Sequence, residues 1–342
     1  MAGALPKAVQ CPTLEMRVVL PKLSIIPWEY QEKMRFICSF YVPLGWRSQY
    51  CGLFELRMGR VTWYFLDNEY YFKRDGAYGY FDDGERMAFF SKAICECCRY
   101  LPDFFPDVLH CNDWHTALAP VFLREHYRYA PGYDRIKTVF TIHNIQYQGT
   151  YGMDIIGDVV GLKPEDAGIL EYDGDANFMK GGIECADWVT TVSPSYAQEI
   201  LDPWYSHGLD PILRERQWKL SGILNGIATD TNDPETDPNL AMHYNAQNAK
   251  EGKAANKAAL QETMGLPVRP DVPLVGLVTR LVSHKGLDLI KAVFDEFIST
   301  TDVQIVVLGS GDWQYENYFR ELSNRYGDKV AVRIGFVPSL AK

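Results

Sequence analysis

The stretch Val278-Thr279-Arg280-Leu281-Val282-Ser283-His284-Lys285-Gly286 decides how this chain folds. The apolar run Leu274 to Val278 before it reads as a strand, with Gly276 inside. Beyond it, apolar side chains at Leu287, Leu289, Ile290, Val293, Phe294 and Phe297 predict a helix over 287–297. Two cations, Arg280 and Lys285, therefore sit on the turn between a strand's carboxyl end and a helix's amino end. In an open parallel sheet ligands bind there, and the free N–H groups and dipole of a helix start favour an anion. A planar Arg fork and a Lys point charge five residues apart suit a diphosphate, with one cation on each side. The same pair could also simply face water, and the turn alone leaves both readings open.

Downstream the pattern repeats. A strand is predicted over 303–308, a helix over 313–326 and a strand over 329–334, with Gly327 stopping the helix as its C′ residue. Gly309-Ser310-Gly311 forms a short glycine loop where backbone can approach a nucleotide. Three strands with two crossover helices make half of a Rossmann-like sheet. Upstream, residues 228–250 are polar and carry two prolines. This composition break precedes a helix over 254–264 and separates two expected domains, 1–226 and 227–342.

The first domain also reads as strand and helix in alternation. Ala2 to Val9 looks like a helix tail. Strands are expected over 16–21, 61–66, 106–111, 136–142, 188–192 and 220–224, and helices over 84–100 and 116–127. Ser193-Pro194 is an N-cap followed by proline in the first turn, and Asn225-Gly226 is a turn. Polar groups collect where strands end. Asp113 and His115 follow 106–111, and His143-Asn144 with Gln146, Tyr147 and Gln148 follow 136–142. Asp113 either orients a substrate hydroxyl or caps the next helix, and His115 either meets a ligand or makes a structural hydrogen bond. In the stretch 67–76, Tyr70 and Tyr71 are interleaved with polar residues. Flat rings beside polar groups suit a sugar, and they also suit ordinary packing at a loop. Two Rossmann-like domains with sites on facing strand ends predict a ligand in the cleft between them.

Composition bounds the function. The 342 residues exceed one ordinary domain, and 47% hydrophobic with 23% charged residues describes a globular chain. A formal charge of −10 argues against general nucleic-acid binding, which needs a dense basic surface. No apolar run of about 18 residues suggests a membrane helix, and MAGALPKAVQ lacks signal-peptide character, so a cytoplasmic place is expected. Eight cysteines are scattered, and only Cys95, Cys97 and Cys98 cluster. No second Cys/His group stands at zinc spacing, so reduced thiols and no metal are expected. No G-x-G-x-x-G opens the first unit, which argues against a dinucleotide-dependent dehydrogenase.

Several segments together resemble the bacterial and plant glycogen or starch synthases, ADP-glucose-dependent retaining glycosyltransferases of the GT-B fold (GT5-like). They are Asp67-Asn68-Glu69-Tyr70-Tyr71-Phe72, Asp82-Asp83-Gly84-Glu85-Arg86, His110-Cys111-Asn112-Asp113-Trp114-His115-Thr116, Thr141-Ile142-His143-Asn144, Tyr147-Gln148-Gly149 and Lys180-Gly181-Gly182. Further along come Thr190-Thr191-Val192-Ser193-Pro194, Leu224-Asn225-Gly226-Ile227, Pro234-Glu235-Thr236-Asp237, Thr279-Arg280-Leu281 and Lys285-Gly286-Leu287. They run in family order along almost the whole chain. The resemblance implies an α/β fold of two Rossmann-like domains: an acceptor-side domain over 1–226 and the first part of a nucleotide-sugar domain over 227–342.

It also implies roles. Arg280 and Lys285 match the pair that holds the donor diphosphate and stabilises departing ADP. Asp113 matches the acid near the reacting sugar and acceptor, and His143 the loop residue beside the donor glucose. Asn144 and Asn225 match positions near the donor or the hinge, and Gly309-Ser310-Gly311 the place where the nucleoside packs. Tyr70, Tyr71, Trp114 and His115 are the candidates for contact with sugar or acceptor. The partners implied are ADP-glucose as donor and an α-1,4-glucan as acceptor, with no cofactor, metal, nucleic acid or membrane.

Breaking a glycosyl–phosphate bond builds negative charge on ADP and positive charge on glucose, and two preorganised cations lower that barrier without a metal. The class is thought to substitute on one face, the leaving phosphate helping to take the nucleophile's proton, without a covalent enzyme nucleophile. The chain also departs from the pattern. The family's opening lysine and glycine-pair loop and its late glutamate motif have no counterpart here, and Ala228 stands where an acid is usual. The chain is therefore expected to be a fragment truncated at both ends. The alternative function is a catalytically dead fragment that at most binds glucan or nucleotide.

Overall fold

A computed structural model describes residues 3–341. The chain divides into two compact units, Met1–Gly226 and Ile227–Lys342. In the first unit, strands β1 (Arg17–Pro21), β2 (Arg35–Leu44), β3 (Arg47–Met58) and β4 (Val61–Asp67) form a sheet of order β1-β4-β3-β2. The pairing of β1 with β4 is parallel, and the other two are antiparallel. Strand–helix alternation therefore does not hold over 35–67. Along β2, buried Phe40, Val42 and Leu44 alternate with exposed Ser39, Tyr41 and Pro43. That two-residue period, with Gly45 at φ +56° in the tight turn, builds a hairpin.

A second sheet of the same unit holds β5 (Val108–Asn112) and β6 (Lys137–Ile142). It continues with β10 (Trp188–Thr191) and β11 (Leu220–Gly222), all parallel in the order β11-β10-β6-β5. A small antiparallel sheet joins β7 (Thr150–Tyr151), β8 (Glu171–Tyr172) and β9 (Asp175–Asn177) in the order β7-β9-β8. Helix α1 (Asp83–Cys97) is buried along nearly its whole length. The expected helix over 116–127 is three short pieces: a 3-10 turn, α2 (Leu118–Phe122) and a π-turn over Leu123–Tyr127. Pro120 lacks a backbone N–H and so is tolerated only in the first turn of such a helix. The expected helix tail at 2–9 is a helix over Leu5–Val9, and Ala2 lies outside the described residues.

Helix α3 (Phe178–Cys185) carries the Lys180-Gly181-Gly182 motif, and the structure gives it a packing role. Asn177 caps the helix by accepting from Lys180 N at 2.9 Å, and the Lys180 ammonium donates to the carbonyls of Gly168 and Ile169. A Cβ at Gly181 would meet Leu170 at 2.4 Å, and one at Gly182 would meet Ala117 and Phe140 at 3.0 Å. Two glycines bring this helix onto its neighbours at a distance that no side chain allows.

The second unit follows the expected order closely. Helix α4 (Ala249–Met264) precedes β12 (Leu274–Val278), α5 (Leu287–Thr300), β13 (Gln304–Gly309), α6 (Trp313–Arg325) and β14 (Val330–Ile334). The three strands are parallel in the order β12-β13-β14, with β13 buried throughout. Gly327 is not a left-handed C′ residue: α6 ends at Arg325 with Tyr326 as its cap at φ −124°. No helix of the described residues is long and apolar enough to cross a membrane. Cys95, Cys97 and Cys98 are buried on and just after α1, where the thiols of Cys97 and Cys98 donate to the Ile94 carbonyl.

One core group works against stability. Lys92 on α1 is only 5% exposed, and its ammonium contacts His126 and lies 4.4 Å from the centre of the Phe122 ring. Burial pushes its pKa down from the ordinary 10.5 to about 8, although Cys95 and Glu96 oppose the shift. A base with a lowered folded pKa costs stability below that pKa, and the cost is relieved as pH rises from about 8 towards the unfolded value. Lys92→Met is expected to stabilise the protein at pH 7 by up to about 3 kcal/mol. The gain should shrink between pH 8 and 10, as urea melts of both proteins across that range would show.

Candidate active site

Two clusters collect most of the residues singled out in the sequence. In the first unit, the ends of β5 and β6 lie side by side, with Asn112 paired to Thr141. The Asp113 N–H donates to the Thr141 carbonyl at 2.9 Å. Asp113 itself adopts φ +55° and ψ −179°, a conformation nearly confined to glycine. Holding it there costs about 1–3 kcal/mol. The carboxylate provides the compensation, since its Oδ1 accepts from His143 N at 2.8 Å and from Asn144 N at 3.4 Å. Asp113 does not cap the following helix through its side chain. Its carboxylate is the clamp that shapes the loop after β6.

His143 is fixed twice. Its backbone binds Asp113, and its Nε2 donates to Asn112 Oδ1 at 2.9 Å. Asn144 Oδ1 accepts from Gln146 N at 3.0 Å, and Ile145 N donates to the Tyr196 hydroxyl at 3.3 Å. Trp114 is buried under this loop. A Cβ at Gly149, whose φ is +66°, would lie 2.5 Å from the indole, so glycine lets the loop close over it. Trp114 is therefore a packing post more than a platform. His115 stacks on it with ring centres 4.3 Å apart and meets Tyr78 at 5.7 Å. Burial pushes the His115 imidazole below its ordinary pKa. Asp113, His115, His143 and Tyr78 share one cavity of about 640 Å³, whose other walls include β1 and β5.

The pair Tyr70 and Tyr71 separates. Tyr70 is exposed. Tyr71 is fully buried, donates its hydroxyl to Glu85 Oε1 at 2.5 Å and packs on Phe89, so it is a core residue and not a sugar contact. Asn225 is exposed and makes no hydrogen bond among the described residues, and the structure does not gather it with either cluster.

In the second unit Arg280 and Lys285 lie on the turn after β12. Both are exposed, and neither side chain makes an ion pair or hydrogen bond among the described residues. They are close enough to His284 for burial, and then their two charges, to push its pKa below the ordinary value. The glycine loop supports this turn from beneath. Thr279 N donates to the Leu308 carbonyl and Leu281 N to the Ser310 carbonyl, at 3.1 and 2.9 Å. A Cβ at Gly309 would lie 1.9 Å from the Thr279 oxygen, and one at Gly311 would lie 2.2 Å from the Leu281 oxygen. Gly311 N donates to Glu316 Oε1 at 3.0 Å. Gly309 and Gly311 are thus required by the close passage of the Arg280 segment, and Ser310 stays exposed between them.

Sequence reasoning missed three of these features. The left-handed backbone of Asp113 has no sequence mark, because aspartate is not glycine. Tyr78 gave no signal apart from its place in an aromatic stretch. The steric need for Gly309 and Gly311 appears only once the parallel strands are paired.

Comparison with known proteins agrees with this geometry. The family described as starch synthase catalytic domain matches residues 1–215. The glycogen synthase of Desulforamulus reducens is 48% identical over 341 residues, covering 99% of this chain and 70% of that protein. That of Clostridium novyi is also 48% identical over 341 residues, with 99% and 71% covered. Among solved structures, the catalytic domain of starch synthase IV from Arabidopsis thaliana, bound to ADP and acarbose, superposes with a TM-score of 0.87 at 29% identity. That match covers 99% of this chain and 71% of the other. From its first unit's match and its near-half identity along its length, this chain belongs to the glycogen and starch synthase family, glucosyltransferases of the α/β GT-B class.

Proposed function

We propose that the protein transfers glucose from ADP-glucose to the non-reducing end of an α-1,4-glucan, with retention, as a cytoplasmic hexosyltransferase of glycogen biosynthesis. The observation that carries this reading is the turn after β12, where Arg280 and Lys285 are exposed and uncommitted among the described residues. An uncommitted guanidinium fork and ammonium on one turn suit a diphosphate. The relatives named glycogen synthase and the solved relative bound to ADP and acarbose support it.

In this reading the second unit, 227–342, holds the nucleotide sugar. Arg280 and Lys285 bind the diphosphate and stabilise the charge that develops on ADP as the glycosyl bond breaks. Gly309, Ser310 and Gly311 support the turn and receive the nucleoside. The first unit, 1–226, handles the glucose and the acceptor. Asp113 holds the His143-Asn144 loop so that His143 meets the glucose hydroxyls and the positive charge developing on the sugar. Asn144 and Asn225 assist near the donor, and Tyr70, Trp114 and His115 border the acceptor. The phosphate oxygen leaving the sugar takes the acceptor's proton, so no covalent enzyme nucleophile and no metal are needed.

Release of ADP from ADP-glucose should depend on added maltoheptaose, and UDP-glucose should be a poorer donor. ADP release that is indifferent to maltoheptaose would refute glucosyl transfer, and preference for UDP-glucose would refute the donor assignment.

A further inference from the structure

His143 is held by two contacts that fix different parts of it. Asp113 Oδ1 accepts from the backbone N–H at 2.8 Å, which sets the loop. Asn112 Oδ1 lies 2.9 Å from Nε2, which sets the ring. Asn112 is itself clamped at the last position of β5. The Thr116 hydroxyl accepts from Asn112 N at 2.6 Å and donates to the Asn112 carbonyl at 2.9 Å. The Asn112 side chain thus leaves a fixed backbone and reaches across to the end of β6, whose Thr141 pairs with it in the ladder.

The orientation of the amide follows from its second neighbour. Asn112 Nδ2 faces the His110 carbonyl at 3.5 Å, and a carbonyl can only accept. Turning the amide over would set two acceptors against each other, so Oδ1 faces the imidazole. An oxygen acceptor there requires the hydrogen on Nε2. A neutral imidazole carries one N–H, so Nδ1 keeps a free lone pair. Nδ1 makes no hydrogen bond among the described residues, and His143 lines the cavity of about 640 Å³. A lone pair there accepts from a sugar hydroxyl. A doubly protonated ring would instead set a cation beside the positive charge that develops on glucose.

We propose that Asn112 is a positioning residue for glucosyl transfer: it holds the His143 ring as the Nε2–H tautomer, so that Nδ1 accepts from a hydroxyl of the donor glucose. It rests on the reading in which His143 meets the glucose. Three titratable groups surround the ring. The Asp113 carboxylate is turned to the His143 backbone. His110 on β5 is turned to Thr141 Oγ1 at 2.6 Å, and burial, then His143, push its pKa below the ordinary value. His115 is stacked on Trp114. None of the three contacts a ring nitrogen of His143 among the described residues.

NMR of the whole protein with nitrogen-15 histidine, at about pH 8 where the ring is neutral, reads the tautomer, with His143→Gln to assign it. The Nε2–H form is expected in the wild type and a mixture with Nδ1–H in Asn112→Ala. Transfer from ADP-glucose to maltoheptaose gives the second readout. Asn112→Ala should lower kcat about tenfold, the worth of one hydrogen bond, with KM for ADP-glucose within about twofold. Asn112→Asp keeps size and acceptor but sets a charge against Nε2–H, which favours the imidazolium. The acid limb of its pH–rate profile should therefore move up by about one unit or more, and that of Asn112→Ala should not rise. A merely structural asparagine would leave both the tautomer and the limb unmoved.

An Nδ1–H ring in the wild type overturns the proposal, as does an Asn112→Ala ring with the wild-type tautomer or an unmoved limb in Asn112→Asp. A wild type that transfers no glucose overturns the catalytic role together with the proposed function, and the tautomer pattern then tells a lost function from a wrong geometry.

Discussion

Replacing Arg280 with alanine is expected to lower kcat for glucose transfer by roughly 10²–10³-fold, and Lys285→Ala by a similar factor. Both side chains are exposed and make no hydrogen bond or ion pair among the described residues, so neither removal should move stability by more than about 0.5 kcal/mol. A large loss of turnover beside an unchanged melting curve is the signature of groups kept for a ligand. The double variant should fall little further than either single one, because both cations act on the same developing charge. Arg280→Lys should recover only part of the loss, since a point charge lacks the planar fork. Steady-state kinetics paired with thermal melts check all four proteins.

Arg86→Ala should have the opposite profile, a large loss of stability at a position remote from solvent. Arg86 is fully buried on α1. Its guanidinium pairs with Asp83, donates from Nε to the Tyr71 carbonyl at 2.7 Å and from a terminal nitrogen to the Ala77 carbonyl at 3.3 Å. It also lies 4.9 Å from the centre of the Tyr80 ring. Removing it leaves the buried Asp83 carboxylate without its cation, held only by the N–H groups of Gly79 and Tyr80, and takes this donor from the Tyr71 and Ala77 carbonyls. Breaking one partner of such a pair costs about 3–5 kcal/mol. Denaturant titration should show that loss, and Arg86→Ala/Asp83→Asn should be less harmful than the single change, because no lone charge remains while the amide oxygen still accepts from Gly79 N and Tyr80 N. Arg86 joins segments 71–77 and 83–86, which carry Tyr78 between them to the rim of the Asp113 cavity. A weakened acceptor interaction should therefore accompany the lost stability.

The residues explain what the sequence revealed and what it hid. The second unit was legible because its strands are short apolar runs, of which β13 is buried throughout, and its helices carry one apolar stripe. The β2–β3 hairpin was hidden by its aromatic content. Tyr41, Tyr50 and Phe36 are exposed, so polarity alone does not mark which face is inside. Tyr71 shows the same ambiguity from the other side, a tyrosine with polar neighbours that belongs to the core. The chemistry-bearing residues were legible because they follow strands, where a parallel sheet presents them. The relations among them were not, because they depend on one unusual backbone conformation at Asp113 and on a carboxylate turned to the N–H groups of the next strand's loop.

The central claim is transfer of one glucose with retention, driven by two cations. It is tested most directly by incubating the protein with ADP-glucose labelled in its glucose and with maltoheptaose, in the presence of EDTA, and reading the product by NMR. The account predicts maltooctaose that carries the label in a new non-reducing unit joined by an α-1,4 bond, one ADP released per unit added, and the same yield without EDTA. A β linkage, a product that forms only when a metal is supplied, or labelled free glucose without any lengthened chain would contradict it.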